Sequence, residues 1–497
     1  MVKEHEPIAA EALPGADPDS GTASLLRRTA ELAIDYRGST AKRRVGPAPE
    51  ATVGSLRAAL GGPLPVAGSD AWRVVEDLAE AAGPGLTTMT SPRFFGFVIG
   101  GSLPAALAVD WLTSTWDQNV GLYLATPAAS VVEEVAGSWL LELLGLPPSA
   151  TVGYTSGATM ANFTALAAAR HAVLRRVDWD VEDAGLVGAP PIRVIVGQDV
   201  HASVLSGLRY LGLGRGRAER VPTDDEGRMD PIALARLLVD RVEPTIVCAQ
   251  LGDVNTGAFD PIGRIVDTVR AHPNAWLHVD GAFGLWAAAS PRLRSLLEGH
   301  DGADSWATDA HKWLNVPYDC GLVFVRDGAA HRAAMGVAAA YLPPAPGQER
   351  DPFDWVPELS RRARGFTVYA AIRELGRDGI AAMVERCCDL ASRMARRLAN
   401  QPGVRILNEV VLNQVLVSFD DDEALTRDVI RRVQADGTAW LGGTTFHGVG
   451  AMRISVSEWT TREEDADRSV DAILRCLDDA RADRRVDQGV GTAGDPR

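Results

Sequence analysis

The chain has 497 residues, 46% of them apolar, and a formal net charge of −15. That length suits one large and one or two smaller domains, and that apolar fraction excludes a disordered chain. The acidic balance, with no basic cluster interleaved with aromatics, argues against nucleic acid or an anionic membrane as a partner. The five cysteines, Cys248, Cys320, Cys387, Cys388 and Cys476, form no Cys-x-x-Cys or Cys/His metal spacing, so no metal site is expected.

Residues 1–20 are acidic, contain prolines and lack the layout of a signal peptide. They read as a disordered start. With no apolar run of about 18 residues to cross a membrane and few cysteines, the expected location is cytoplasmic. Residues 21–94 read as helical pieces broken by Pro and Gly, such as "SLLRRTAELAIDYRG" and "DAWRVVEDLAEAAG". From 95 to 360, short β-branched runs alternate with helical stretches. "ATVGYTSG" leads into "ATMANFTALAAARHAVLRR", "IRVIVGQ" into "HASVLSGLRYLG", and "TIVCAQ", "AWLHVDGAFG" and "GLVFVRD" are further strands. That alternation predicts an α/β fold with a mostly parallel central sheet covered on both faces. Residues 361–484 predict a smaller α+β domain. The stretch from 485 to 497 is polar and reads as a disordered tail.

Four features carry chemistry. Asp280 closes the apolar strand "WLHVD" and precedes Gly281. In an open α/β sheet functional groups gather at the carboxyl ends of strands, although an aspartate there also serves as a cap or ion-pair partner. Lys312 lies between His311 and Trp313 in "TDAHKWLN". A strand-end Asp followed by such a lysine is what a pyridoxal phosphate enzyme needs. The lysine forms a Schiff base with the aldehyde, and the aspartate keeps the pyridine nitrogen protonated so that the ring accepts electrons. Alone, Lys312 could be a lysine whose stem lies over Trp313. The small-residue turn Ser156-Gly157-Ala158-Thr159 follows a strand and opens a helix, and suits a phosphate or an ordinary strand-to-helix turn. It is neither a G-x-S-x-G elbow nor a P-loop. His201, after "IRVIVGQ", can stack on a flat cofactor or satisfy a structural need.

Together "HVDGAFG", "DSWATDAHKWLNVPYDCG" and the spaced His201 resemble the group II pyridoxal phosphate-dependent amino-acid decarboxylases. These include aromatic-L-amino-acid, histidine and glutamate decarboxylases and have the aspartate-aminotransferase-like fold (fold type I). The resemblance covers roughly residues 75–460, with "SPRFFGF" and "PELSRRARGFTVYAAIRELGRDGI" as further matches. It implies pyridoxal 5'-phosphate as cofactor and Lys312 as the Schiff-base lysine. Asp280 pairs with the pyridine nitrogen, Ala282 lies under the ring and His201 stacks on its other face. Ala158 and Thr159 hold the phosphate, with His311 nearby. Counted from Cys320, the family's mobile-loop tyrosine falls on Tyr341, which returns a proton to the α-carbon. Relatives that make aldehydes often carry Phe there, so Tyr341 favours decarboxylation of an L-amino acid to its amine. An aldehyde synthase or a transaminase is the alternative. The resemblance also implies a homodimer with shared active sites.

Two departures stand out. Asp309 stands where the animal enzymes have asparagine; a second negative charge close to a phosphate would be repulsive, and the alternative is that Asp309 points away or binds a backbone amide. Val254 replaces a threonine, for which Asn255 or Thr256 could substitute. The side-chain pocket is expected from Phe97, Val98 and their successors, with Tyr123 contributing. Arg453 is expected either to bind the substrate carboxylate or to serve in a structural salt bridge.

Overall fold

In the computed structural model, residues 18–337 and 349–490 are described. The expectation of disorder for residues 1–17 and 491–497, and the site role of Tyr341, lie outside the described residues. The chain divides into two compact units, Met1–Thr88 and Met89–Arg497.

The first unit carries helices Pro18–Ser39, Val53–Leu60 and Ala71–Ala82. Each of the two shorter helices starts where a polar side chain satisfies free backbone N–H groups. Thr52 Oγ1 accepts from the Ser55 N–H while the Thr52 N–H donates to Ser55 Oγ, and Asp70 accepts from the N–H groups of Trp72 and Arg73. Neither helix has a buried residue, and Val53, Leu60, Val74 and Leu78 are exposed.

The second unit is built on a seven-stranded sheet. Its strands are β1 (Thr151–Thr155), β2 (Arg193–Gly197), β3 (Glu219–Val221), β4 (Thr245–Gln250), β5 (Ala275–Asp280), β6 (Ser305–Asp309) and β7 (Gly321–Val325). The order is β1-β7-β6-β5-β4-β2-β3. The neighbours from β3 to β6 run parallel, and β7 is antiparallel to both β6 and β1. Alternate strand residues enter opposite cores, as a period of two requires. Ile246, Cys248 and Trp276 pack with Ala161, Ala165 and Ala168 of the helix Ala158–Arg175. Val247, Ala249, Leu277 and Val279 enter the larger core on the other face. A smaller antiparallel sheet follows: β8 (Val404–Ile406), β9 (Gln414–Phe419), β10 (Gly442–Phe446) and β11 (Val449–Ser455), in the order β10-β11-β9-β8.

Two expectations need correction. Residues 95–150 hold no strand of the main sheet. They form the helices Pro104–Trp116 and Pro127–Leu143, and the second buries Ala129, Ala136, Leu140 and Leu141, a helical spacing. The last helix, Glu463–Val490, continues past 485, where a disordered tail was expected. Ion pairs from Arg484 to Asp422 and from Asp483 to Arg432 hold the preceding turn on the small domain. Polar composition alone does not forbid a helix that begins in a packed segment.

Candidate active site

The carboxyl ends of β4, β5 and β6 converge with two helix starts. β5 ends in Asp280, only 4% exposed. Its Oδ1 accepts from the Ala282 N–H at 3.2 Å. Its Oδ2 accepts from Asn162 Nδ2 at 3.0 Å and from Ser203 Oγ at 3.3 Å. Beside it β6 ends in Asp309, and the Asp309 N–H donates to the Ala282 carbonyl at 2.9 Å while the Trp286 indole holds the Asp309 carbonyl at 3.0 Å. The two strand ends are therefore locked to one another through Ala282.

Lys312 follows one turn later, its Nζ 2.9 Å from Asp309 Oδ2. Asp309 Oδ1 accepts from the Ala158 N–H at 2.6 Å. That carboxylate therefore binds both the lysine and the first N–H of the helix Ala158–Arg175. Of the candidate phosphate turn, Ala158 is buried and Thr159 exposed. A Cβ placed on Gly157 would stand 3.3 Å from the His311 ring. His311 Nδ1 accepts from the Cys320 N–H at 3.1 Å, its ring stacks on Tyr318, and burial lowers its pKa. Trp313 is fully buried and packs toward Phe283 at 6.3 Å between ring centroids, so it anchors the turn from the core side.

His201, Asp280, Ala282 and Lys312, all expected from sequence, line one small cleft, and Val254 joins them. Gln250, Gly252 and Phe283 complete the lining and were missed in the sequence. Gln250 had a visible signal: it ends β4 in direct register with Asp280. His201 caps the helix Ala202–Tyr210, its Nδ1 accepting from the Ser203 N–H at 3.2 Å.

Asn255 and Thr256 lie outside this lining and have other partners. Asn255 Oδ1 accepts from Thr444 Oγ, and Thr256 Oγ donates to the Glu226 carbonyl. The expected pocket residues lie elsewhere than in this lining. Val98 is buried in the large core, and Phe97, 56% exposed, stacks on Trp440. The Tyr123 N–H donates to Asp351. Their segment still reaches the site, because a Cβ on Gly100 would come 1.8 Å from the Lys312 carbonyl oxygen. Only glycine allows that approach. The Gly101 N–H donates to the buried Asn315 side chain at 2.6 Å. Arg453 Nη1 donates to the Val254 carbonyl at 2.9 Å, a backbone partner at the edge of the cleft rather than a salt bridge. Burial lowers its pKa and Asp253 opposes that shift.

The donor set fits pyridoxal phosphate. It offers a partly shielded primary amine, a buried carboxylate with neutral donors, a small residue between two strand ends for a flat ring, and a glycine-led helix start for an anion. Among the described residues no His, Cys, Asp and Glu group could hold a metal ion, and no helix is long and apolar enough to cross a membrane.

The sheet order and this donor set define a pyridoxal phosphate-dependent enzyme of fold type I. The conserved domain of the pyridoxal-dependent decarboxylases matches residues 55–420, and the chain belongs to that family. It is a pyridoxal phosphate-dependent carboxy-lyase. The aromatic-L-amino-acid decarboxylase of Bacillus atrophaeus is 27% identical over 450 residues, 87% of this chain and 91% of that protein. The 4-hydroxyphenylacetaldehyde synthase of Rhodiola rosea is 27% identical over 449 residues, covering 86% and 89%. The crystal structure of Oryza sativa TDC with pyridoxal phosphate and tryptamine has the same fold. Its TM-score is 0.86 at 23% identity, over 94% of this chain and 99% of that one.

Proposed function

We propose that this enzyme decarboxylates an L-amino acid to the corresponding amine, with Lys312 as the residue that carries the cofactor. The observation that supports this most directly is the placement of Lys312 Nζ in one cleft with the buried Asp280 carboxylate and His201. When bound, pyridoxal phosphate supplies an aldehyde that takes an amine and a cationic ring that accepts the electron pair left by departing carbon dioxide.

The residues divide the remaining work. Asp280 faces the ring nitrogen and holds its proton. Ala282 and His201 bracket the ring plane. Ala158 and Thr159 offer backbone N–H groups to the phosphate, with His311 at the side. Asp309 keeps the lysine ammonium over the cleft until the cofactor takes it. Arg453 is the candidate for the substrate carboxylate, supported by its tether beside Val254. Tyr341 delivers the proton to the α-carbon. Phe97 and Tyr123 contribute to the outer wall of the side-chain pocket. The exposed apolar residues of the N-terminal helices support a homodimer, and the five free cysteines in a long chain support a cytoplasmic location.

Release of an aldehyde is the second reading, because a synthase from Rhodiola rosea matches the chain as well as an amine-forming relative does. A panel of L-amino acids assayed together for carbon dioxide, ammonia and peroxide separates the two. Carbon dioxide with amine alone is expected, and equal ammonia and peroxide would establish the aldehyde reaction. Borohydride reduction of the loaded protein followed by peptide mass spectrometry is expected to place the cofactor on Lys312. An adduct elsewhere would overturn that assignment.

A further inference from the structure

Trp276, His278 and Asp280 are alternate residues of β5 and point to the same face of the sheet, toward the helix Ala158–Arg175. All three are buried, as are Asn162 on that helix and Ser305 on β6. A continuous line of hydrogen bonds joins them. The Trp276 indole N–H donates to Ser305 Oγ at 2.9 Å. Ser305 Oγ lies 3.0 Å from His278 Nδ1, and His278 Nε2 lies 2.9 Å from Asn162 Oδ1. Asn162 Nδ2 donates to Asp280 Oδ2 at 3.0 Å.

The two ends decide the direction of every bond between them. An indole nitrogen only donates, and a carboxylate only accepts. Because Asp280 only accepts, Asn162 turns its NH₂ to the carboxylate and its Oδ1 to His278. The neutral imidazole must then carry its proton on Nε2, and its bare Nδ1 takes the Ser305 hydroxyl proton. Ser305 Oγ is left to accept from Trp276. Turning Asn162 over would set two acceptors 3.0 Å apart at Asp280. Burial lowers His278 to about 4, so at neutral pH the ring has the single proton that this pattern requires. Ser203 extends the line sideways. Its Oγ receives the second Asn162 proton at 3.0 Å and stands 3.3 Å from Asp280 and 2.8 Å from His201 Nδ1.

We propose that Asn162, His278 and Ser305 are positioning residues, a one-way relay that presents Asp280 to the ring nitrogen of the cofactor as an oriented hydrogen-bond acceptor. This rests on the reading that Asp280 faces that nitrogen. The relay occupies Oδ2 and fixes the carboxylate plane, which leaves Oδ1, held among the described residues by the Ala282 N–H alone, as the oxygen turned to the cofactor.

The test compares two ligands on the full-length protein, pyridoxal phosphate and its analogue with CH in place of the ring nitrogen. Affinities are measured by equilibrium dialysis. Asn162→Leu is expected to weaken pyridoxal phosphate about tenfold or more and the analogue less than about twofold. Ser305→Ala, two bonds from the amide and a smaller change to the core, is expected to show the same selectivity at about threefold. This second variant keeps the comparison available where Asn162→Leu does not fold. Equal weakening of both ligands, or of neither, by the variant that folds would overturn the relay. Asp280→Asn separates the two layers. If it is selective while the other variants are not, only the relay falls. If Asp280→Asn itself does not distinguish the ligands, Asp280 does not face the nitrogen and the proposal falls with it.

Discussion

Asp280 at the end of β5 and Asp309 at the end of β6 belong to adjacent parallel strands, and both are almost fully buried, at 4% and 2% exposure. Their partners differ in kind. Asp280 is held by three neutral donors, from Asn162, Ser203 and the Ala282 backbone. Asp309 is held by a lysine ammonium and by the first N–H of a helix. Neutral donors orient a carboxylate without cancelling its charge, so Asp280 can still stabilise a cation placed against it. Asp309 has its charge largely matched already by Lys312 and the positive helix end. One strand end is thus suited to serve a cofactor electrostatically. The other holds groups, an ammonium and a backbone amide, that the cofactor itself would claim.

The largest expected effect comes from removing the amine that Asp309 holds. Lys312→Ala should lower decarboxylation by more than about 10³-fold and abolish the borohydride-trapped adduct. Asp280→Asn follows, with a loss of about 10²–10³ in kcat, the scale seen when one preorganised electrostatic partner is removed. If Asp280→Asn cost no more than Asp309→Asn in the same assay, the contrast between the two strand ends would be wrong.

A third effect reads the layer beneath Asp280 through stability. His278 is fully buried and lowered to about 4 against an ordinary value near 6.5. Its unfolded form takes a proton first as pH falls, so folded stability is intact above about 6.5 and is lost progressively toward 4. Across that window the loss is about 3 kcal/mol. The acid side of a melting-temperature profile on the cofactor-free protein should therefore be flatter in His278→Gln. An unchanged slope would mean that other groups dominate the acid response.

The parts of this site that could be read from sequence are those carried by short segments. Asp280, Ala282 and the His311-Lys312 pair each sit at a strand end, where a few consecutive residues state both the element and its exit. His201 sits at a strand-to-helix junction of the same kind. Asn162 and Ser203 could not be found that way. Each is an ordinary polar residue within an apolar helix, and its meaning comes from a carboxylate far along the chain that sheet order alone brings near. His278 was in view in "HVDG", but its role depends on which nitrogen carries the proton, and that follows from Asp280 and Asn162 together. The strand pattern also hid the helices of residues 95–150, because alanine-rich and leucine-rich runs there lack the β-branched punctuation that marks the strands farther on.

The smallest effect is the most informative about Asp309. Asp309→Asn keeps an oxygen for the Ala158 N–H and removes a negative charge from the helix start expected to receive the phosphate. It also removes the partner of Lys312 Nζ. Asp309 is buried, so repulsion between its carboxylate and a dianion is little screened, and Asp309 loses its ammonium partner once the cofactor takes Lys312. Pyridoxal phosphate should therefore bind several-fold more tightly to the variant in equilibrium dialysis. Tighter binding would mean that this chain carries a built-in competitor for its own cofactor's phosphate. Weaker binding would mean that Asp309 chiefly aims the lysine, and the two strand ends would then be more alike in function than their partners suggest.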